Sequence, residues 1–304
     1  MSERTTPEPD GDGAQLLGSL LQVLDLAPHG QDEHGQDLFV GESQRQPHGR
    51  VFGGQVLGQT LVAAGRTVEP GRDVHSMHGY FLRPGDSSEP ITFAVERLRD
   101  GRSFSARRVH AIQFGKPILS MIASFQDEAP GLDHQDPMPD VPGPDELPTT
   151  VELLGHIDHP VAQYWARERP MDLRHVQSPL YWEADPERVA RNAVWMRTPS
   201  AMPDDPLLHR AVLGYASDYT LLESVLRRHG GTWATPGLKA ASLDHAMWWH
   251  RPVRVDEWLL YVQASPSASG ARGLGIGRIF SQDGRLVASV AQEGMLRVPA
   301  ELIS

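Results

Sequence analysis

The chain has 304 residues, 39% of them hydrophobic, a formal net charge of -11 and no cysteine. That length can build two core-bearing units, while the missing cysteine excludes disulfides, thiolate nucleophiles and cysteine metal sites. The acidic balance argues against a general nucleic-acid binder, no apolar run approaches the ~20 residues of a membrane span, and no basic, apolar leader is present, so a cytoplasmic protein is expected.

Charge is unevenly placed. Met1 to Asp37 holds eight acidic residues against one Arg, and Asp127 to Leu147 holds seven with no Lys or Arg. Arg83 to Lys116 reverses this with seven basic and four acidic residues, a region able to meet an anionic small molecule or equally a solvated hairpin of mixed charge.

In chain order, residues 1–13 read as a disordered tail. Gln15 to Leu26 sets Leu16, Leu17, Leu20, Leu21, Val23 and Leu24 at helical spacing, the mark of a short amphipathic helix. Gly53 to Val68 predicts the next helix, with Val56, Leu57, Thr60, Leu61 and Ala64 behind a Gly-Gly start. Ile91 to Leu98, Ser103 to Phe114 and Pro117 to Phe125 then read as strands, joined by turns at Asp100-Gly101 and Phe114-Gly115-Lys116 that suit antiparallel hairpins. Prolines at 130, 137, 139, 142, 144 and 148 remove amide donors and fix φ, so Ala129 to Thr150 is a linker without a regular element. Val151 to Glu168 resumes a helical pattern that Pro160 interrupts, and Arg191 to Arg197 reads as a strand. His209 to His229 predicts one long helix, followed by strands over Trp258–Ala264, Gly273–Ser281 and Arg285–Gln292.

The same plan is written twice. Val56-Leu57-Gly58, Arg83-Pro84 and Gly115-Lys116 return as Val212-Leu213-Gly214, Arg251-Pro252 and Gly284-Arg285. Pro84 and Gly115 lie 31 positions apart, Pro252 and Gly284 lie 32 apart, so the halves keep step. One helix and an antiparallel meander, done twice, imply an α+β fold with two sheets side by side around two central helices. The expected units are 14–128 and 151–304, with the linker at 129–150 between them.

Several common sites are missing: no Gly-x-Ser-x-Gly elbow, no His-Glu-x-x-His and no P-loop occur. Gly273-Leu274-Gly275-Ile276-Gly277 lies inside a strand pattern and marks close backbone approach sooner than a nucleotide loop. The 14 histidines form no ligand-like cluster, and no metal site is expected. Aligning the repeats sets Val62 opposite Asp218, an apolar position against a charged one. Asp218 either faces solvent and caps a turn, or is a general base whose pKa desolvation raises towards neutrality. Ser242 and Gln292, a hydroxyl and an amide on neighbouring strands, could complete a metal-free water site around it, although such a residue taken singly is more often a surface or satisfied polar one. Asp244 with His245 stands as a competing acid/base pair.

Val51-Phe52-Gly53-Gly54-Gln55, Tyr80 to Gly85, Arg99 to Phe104, Leu213 to Asp218, Leu243 to Pro252 and Val290 to Gly294 together resemble the type II acyl-CoA thioesterase (TesB-like) family. The resemblance runs from about Leu16 to Arg297 and is weakest in the tail, the linker and Val151 to Ala190. It implies a double hotdog fold and hydrolysis of acyl-CoA to fatty acid and CoA, without a cofactor. The family's Asp, hydroxyl and Gln positions fall on Asp218, Ser242 and Gln292; some relatives carry Thr where Ser242 stands. Backbone amides at a helix N-terminus would serve the oxyanion, Arg99, Arg102, Arg107 and Arg108 would be candidates for the CoA phosphates, and double units would associate as a homo-oligomer. Two rivals share the fold: a non-catalytic acyl-CoA binding or sensing protein, and an enoyl-CoA hydratase, whose usual Asp-x-Asn-x-x-His stretch is absent.

Overall fold

Each half of the chain folds as a hairpin, a central helix and further strands, four in the first half and five in the second. The computed structural model describes residues 11–299 and Leu302. Helix α1 (Gly11–Leu24) precedes hairpin β1 (Ala27–Gln31) and β2 (Asp37–Gly41), then α2 (Gly53–Gly65) and strands β3 (Arg72–Phe81), β4 (Ile91–Asp100), β5 (Phe104–Gln113) and β6 (Lys116–Asp127). Short helices α3 (Thr150–Leu154) and α4 (Pro160–Gln163) lead to hairpin β7 (Asp172–His175) and β8 (Arg191–Arg197). Helices α5 (Pro206–Ser217) and α6 (Glu223–Arg228) follow, then β9 (Lys239–Ser242), β10 (Asp244–Trp249), β11 (Leu259–Ser269), β12 (Arg272–Ser281) and β13 (Leu286–Arg297).

The strands form one sheet in the order β1-β2-β4-β5-β6-β3-β10-β13-β12-β11-β8-β7, with β9 alongside β13. The second six repeat the order of the first six in reverse, so a pseudo-twofold axis passes through the β3–β10 seam, where Met77 pairs with Met247. This is the expected double hotdog. The seam strands themselves were not legible: His75, Ser76 and His78 on β3, and Asp244, His245 and Trp248 on β10, break the simple apolar alternation that marks a half-buried strand.

Helix α2 is buried from Gly54 to Ala64, polar residues included. Its amides are satisfied internally: Gln55 Nε2 donates to Gln59 Oε1 (3.0 Å), and Gln59 Nε2 donates to the Val23 carbonyl (2.9 Å), as buried polar groups require. One apolar core takes side chains from both central helices and both halves of the sheet. α2 and α5 pack antiparallel, backbone to backbone. A Cβ at Gly58 would lie 3.1 Å from the Ala211 carbonyl oxygen, one at Gly65 2.5 Å from Leu207, and one at Gly54 would collide with the Tyr215 carbonyl oxygen.

Three expectations need correcting. The tail at residues 1–13 lies outside the described residues up to position 10, and from Gly11 the chain is already helical. The linker contains one 3-10 turn, Pro144–Glu146, and is strapped to the second half: Gln135 bonds the Gly284 carbonyl and the Leu286 amide, and the Trp195 indole donates to the Pro142 carbonyl. The helix expected over His209–His229 is broken between Ser217 and Glu223. Tyr261 Oη donates to the Ser217 carbonyl (3.2 Å), the acceptor that the residue-221 amide would have used in a continuous helix, and the Tyr219 and Glu223 amides fall back to i−3 carbonyls. Among the described residues no helix is long and apolar enough to cross a membrane.

The helix contact predicts a contrast between two glycines. Gly54→Ala should lower stability by about 1–3 kcal/mol through overpacking against α5. Gly18→Ala on α1, where an added Cβ meets nothing within 4 Å, should be neutral or stabilising by up to about 1 kcal/mol. Thermal unfolding of the two variants checks both.

Candidate active site

The break after α5 is where the first candidate stands. Asp218 is the residue that ends α5, and its carboxylate turns towards the start of α2. A Cβ on Gly53 would lie 2.7 Å from Asp218 Oδ2 and would have to displace the carboxylate. Phe52, at the N-cap of α2, makes no side-chain cap bond; the Gly54 amide faces the Asp218 carboxylate instead and favours its charged form.

Ser242 and Gln292 arrive from the sheet. Ser242 ends β9, immediately before the kink into β10, and Gln292 lies on β13, inward beside Val290 and Gly294. Ser242 Oγ donates to Asp218 Oδ1 at 3.1 Å and Gln292 Nε2 donates to the same oxygen at 2.5 Å. Gln292 Oε1 is buried and without a hydrogen-bond partner among the described residues. A carboxylate, a hydroxyl and a free amide oxygen thus share one partly buried spot, the donor and acceptor set that holds and deprotonates a water.

Burial dominates the electrostatics. It pushes the Asp218 carboxyl up to about 6, against opposing hydrogen bonds from Gln292, Ser242 and the Gly54 amide. At neutral pH the group is ionised yet close enough to titration to accept a proton readily.

The competing pair does not assemble. Adjacent residues of a strand point to opposite faces: Asp244 Oδ1 accepts the Glu293 amide (2.7 Å), while His245 is buried against Ser217 Oγ (2.9 Å). Burial drives His245 down to about 3, so it stays neutral. No cluster of metal-ligating residues occurs among the described residues.

The four arginines stand elsewhere. Arg99 and Arg102 are exposed at the β4–β5 hairpin, and Arg72 Nη2 ties the Arg102 carbonyl to the start of β3. The Asp218 site lies at the far end of β3, where Phe81 meets Gly53, roughly 30 Å away by strand rise. Arg108 pairs with Glu96 and lies opposite exposed Ile122, on the sheet face away from the helices. Arg107 is 1% exposed, and all its donors are taken by Thr67, Asp100 and the Arg99 and Ala106 carbonyls. It holds the fold and has nothing left for a phosphate.

No local motif announces the aromatic wall beside Asp218. Phe52 stacks on Tyr219 with centroids 4.7 Å apart and meets Tyr215 edge-on at 5.2 Å. Tyr219 Oη donates to Tyr215 Oη (2.9 Å), which donates to Gln44 Oε1 (2.8 Å). The proximity of the Phe52-Gly53-Gly54 segment to residues 215–219 comes from helix packing, which no local motif encodes.

Known proteins share this arrangement of chain. A family model described as "Acyl-CoA thioesterase" matches residues 171–295, and one described as "Acyl-CoA thioesterase N-terminal domain" matches residues 42–126. The chain is 38% identical over 291 residues to acyl-CoA thioesterase 2 of Haemophilus influenzae, covering 93% of this chain and 99% of that protein. It is 38% identical over 320 residues to Homo sapiens acyl-coenzyme A thioesterase 8, with coverages of 99% and 98%. The solved structure of acyl-CoA thioesterase II TesB2 from Mycobacterium marinum is similar at a TM-score of 0.73 and 44% identity, over 93% of this chain and 98% of that one.

The raised carboxyl carries a stability cost with a defined pH window. A carboxyl whose folded pKa lies above its unfolded value weakens the fold when ionised, so the penalty is absent below pH ~4 and complete above about 6. Asp218→Asn should therefore be more stable than wild type by about 2–3 kcal/mol at pH 8, with the gap closing as pH falls to 4. Denaturant unfolding across that range measures it.

Proposed function

Because the chain belongs to the acyl-CoA thioesterase family, we propose that it hydrolyses acyl-CoA thioesters with Asp218 as general base and with Ser242 and Gln292 positioning the water. The observation that carries this reading is convergence. Two side chains from separate strands donate to one oxygen of a carboxylate that burial holds near pH 6.

Water donates one hydrogen to Asp218 and the other to Gln292 Oε1, and Ser242 fixes the carboxylate's orientation. As the water oxygen attacks the thioester carbonyl, Asp218 takes the proton. The positive end of α2, whose Gly53-Gly54 backbone abuts Asp218, supplies the dipole that favours the developing oxyanion. Collapse breaks the C–S bond, and a thiol of pKa ~8.5 leaves without a strong acid; the proton on Asp218 returns through solvent. Every step uses these side chains and water.

The proposal places the catalytic side chains in the unit 151–304, while 14–128 contributes the helix terminus that faces them across the linker 129–150. The protein would act in the cytoplasm. Exposed edge strand β1 offers unpaired backbone through which double units could associate as a homo-oligomer.

Asp218→Asn should lower kcat for CoA release by about 10²–10⁴-fold while KM stays within a few-fold, and the wild-type rate should climb with pH through about 6 and level off. A thiol-reactive dye assay reads both. Wild-type turnover in the variant would remove Asp218 from the chemistry, and tight acyl-CoA binding without thiol release by the wild type would make the chain a binding protein.

A further inference from the structure

The repeats differ on a strand beside the helix break as well as at Asp218. Pro84 and Pro252 stand 168 positions apart, and the sheet keeps that spacing. Phe93 pairs with Ala111 and Val95 with Val109 across β4 and β5; Tyr261 pairs with Ile279 and Gln263 with Gly277 across β11 and β12. Tyr261 is therefore the counterpart of Phe93, and Gln263 that of Val95. All four are buried. Where the first repeat is purely apolar, the second adds a hydroxyl and an amide.

Both additions reach the break. Tyr261 and Gln263 lie two residues apart on β11 and so share one face. Tyr261 Oη donates to the Ser217 carbonyl (3.2 Å), and Gln263 Nε2 donates to Thr220 Oγ1 (2.6 Å). Asp218 lies between the two gripped residues. Asn192 Nδ2 donates to Gln263 Oε1 (3.1 Å) and to Glu223 Oε2 (2.9 Å), which leaves the Gln263 nitrogen facing Thr220. Gly277, the counterpart of Val109, makes room for the tyrosine, since a Cβ there would collide with the ring. Burial first, and the charge of Asp218 second, keep the phenol protonated and a donor. In the first repeat α2 runs unbroken from Gly53 to Gly65, and the carbonyl of Val62, the counterpart of Asp218, accepts the Arg66 amide (3.0 Å) in the ordinary helical register.

We infer that Tyr261 and Gln263 are positioning residues that hold residues 217–220 out of the helix and so keep Asp218 on Ser242 and Gln292. Each acts through a neighbour, one through the Ser217 carbonyl and the other through Thr220. Apolar periodicity runs on through Leu221, Leu222, Val225 and Leu226, so the segment left to itself continues the helix. A continuous helix returns the Ser217 carbonyl to the residue-221 amide and turns Asp218 away from β9 and β13. The inference rests on the thioesterase reading.

Restoring the first repeat's residues tests it. Tyr261→Phe removes one oxygen and keeps the ring. Gln263→Val with Thr220→Ala, the residue found at the matching Ala64, removes the second grip, and Asn192 keeps Glu223 as a partner. The two variants are independent, so one that does not melt cooperatively leaves the other to decide. Each should lower kcat by roughly 10- to 100-fold, on whichever of hexanoyl-, lauroyl- and palmitoyl-CoA wild type turns over fastest, with KM within about threefold. Added to Asp218→Asn, Tyr261→Phe should cost less than about threefold more, because its effect runs through the missing carboxylate. In carbon-13 NMR spectra Asp218 should titrate above its wild-type value of about 6 in both variants, since hydrogen bonds that favour the charged form loosen while burial stays. Wild-type kcat in the variants overturns the inference. So does a loss in Tyr261→Phe that is as large without the Asp218 carboxylate as with it, which is what general loosening of the fold would give. If wild type releases CoA from none of the three thioesters, the hydrolysis reading falls and the carbon-13 titration alone decides: a raised Asp218 in the variants upholds the positioning, and one that titrates as in wild type sinks it.

Discussion

Where α2 crosses α5, Gly54 and Gly58 carry no Cβ and backbone meets backbone. Any side chain at position 54 would occupy the space of the Tyr215 carbonyl oxygen and push the helices apart. The closeness carries the start of α2 onto the residue that ends α5, so a helix terminus from one repeat faces a carboxylate from the other. The remaining geometry hangs from this contact. The antiparallel seam between β3 and β10 joins the two sheets, and β13, beside that seam, carries Gln292 to the same point.

Burial of Asp218 costs the fold stability and raises the proton affinity of its carboxylate. A carboxylate in this position would be lost from the fold if it had only its burial to contend with; Ser242, Gln292 and the Gly54 amide hold it at a pKa of about 6 instead of higher. The first repeat makes no such sacrifice. Val62, which the alignment sets opposite Asp218, is 1% exposed inside the common core. On the proposed reading one repeat packs and the other carries the chemistry, while the packing repeat supplies the helix terminus that faces Asp218. The break after Ser217 belongs to the same division: a continuous helix would keep residue 218 within its own ladder, whereas Tyr261 takes the Ser217 carbonyl and ends α5 at that carboxylate.

Much of this was legible in the sequence, and for identifiable reasons. The repeated Val-Leu-Gly, Arg-Pro and Gly-basic marks, with their matched spacing, gave the two-unit plan, and the asymmetry between Val62 and Asp218 singled out the carboxylate. Gly273, Gly275 and Gly277, whose spacing predicts close backbone approach, lie on β12; a Cβ at Gly273 would stand 2.6 Å from Val225 and one at Gly275 2.8 Å from the Leu221 carbonyl oxygen. What stayed hidden depends on contacts distant in sequence. Apolar periodicity continues through Leu221, Leu222, Val225 and Leu226, so nothing local marks the helix break, which needs Tyr261 from another strand. Arg107 and Arg169 look alike in the sequence as basic residues in mixed surroundings; the fold gives one of them a full set of partners and leaves the other facing aromatic rings. Charge counting along Arg83 to Lys116 could not separate an arginine that holds strands together from one that meets a ligand.

The central claim is that helix packing holds Asp218 as a desolvated carboxylate ready to take a proton. Carbon-13 NMR of the aspartate side-chain carboxyls, titrated from pH 3 to 9 and assigned by the resonance missing from Asp218→Asn, measures this directly. The account predicts one aspartate titrating near 6, well apart from the bulk of the carboxyls. An Asp218 resonance titrating at the ordinary aspartate value of about 4 would mean that water reaches the group freely, and would contradict the account.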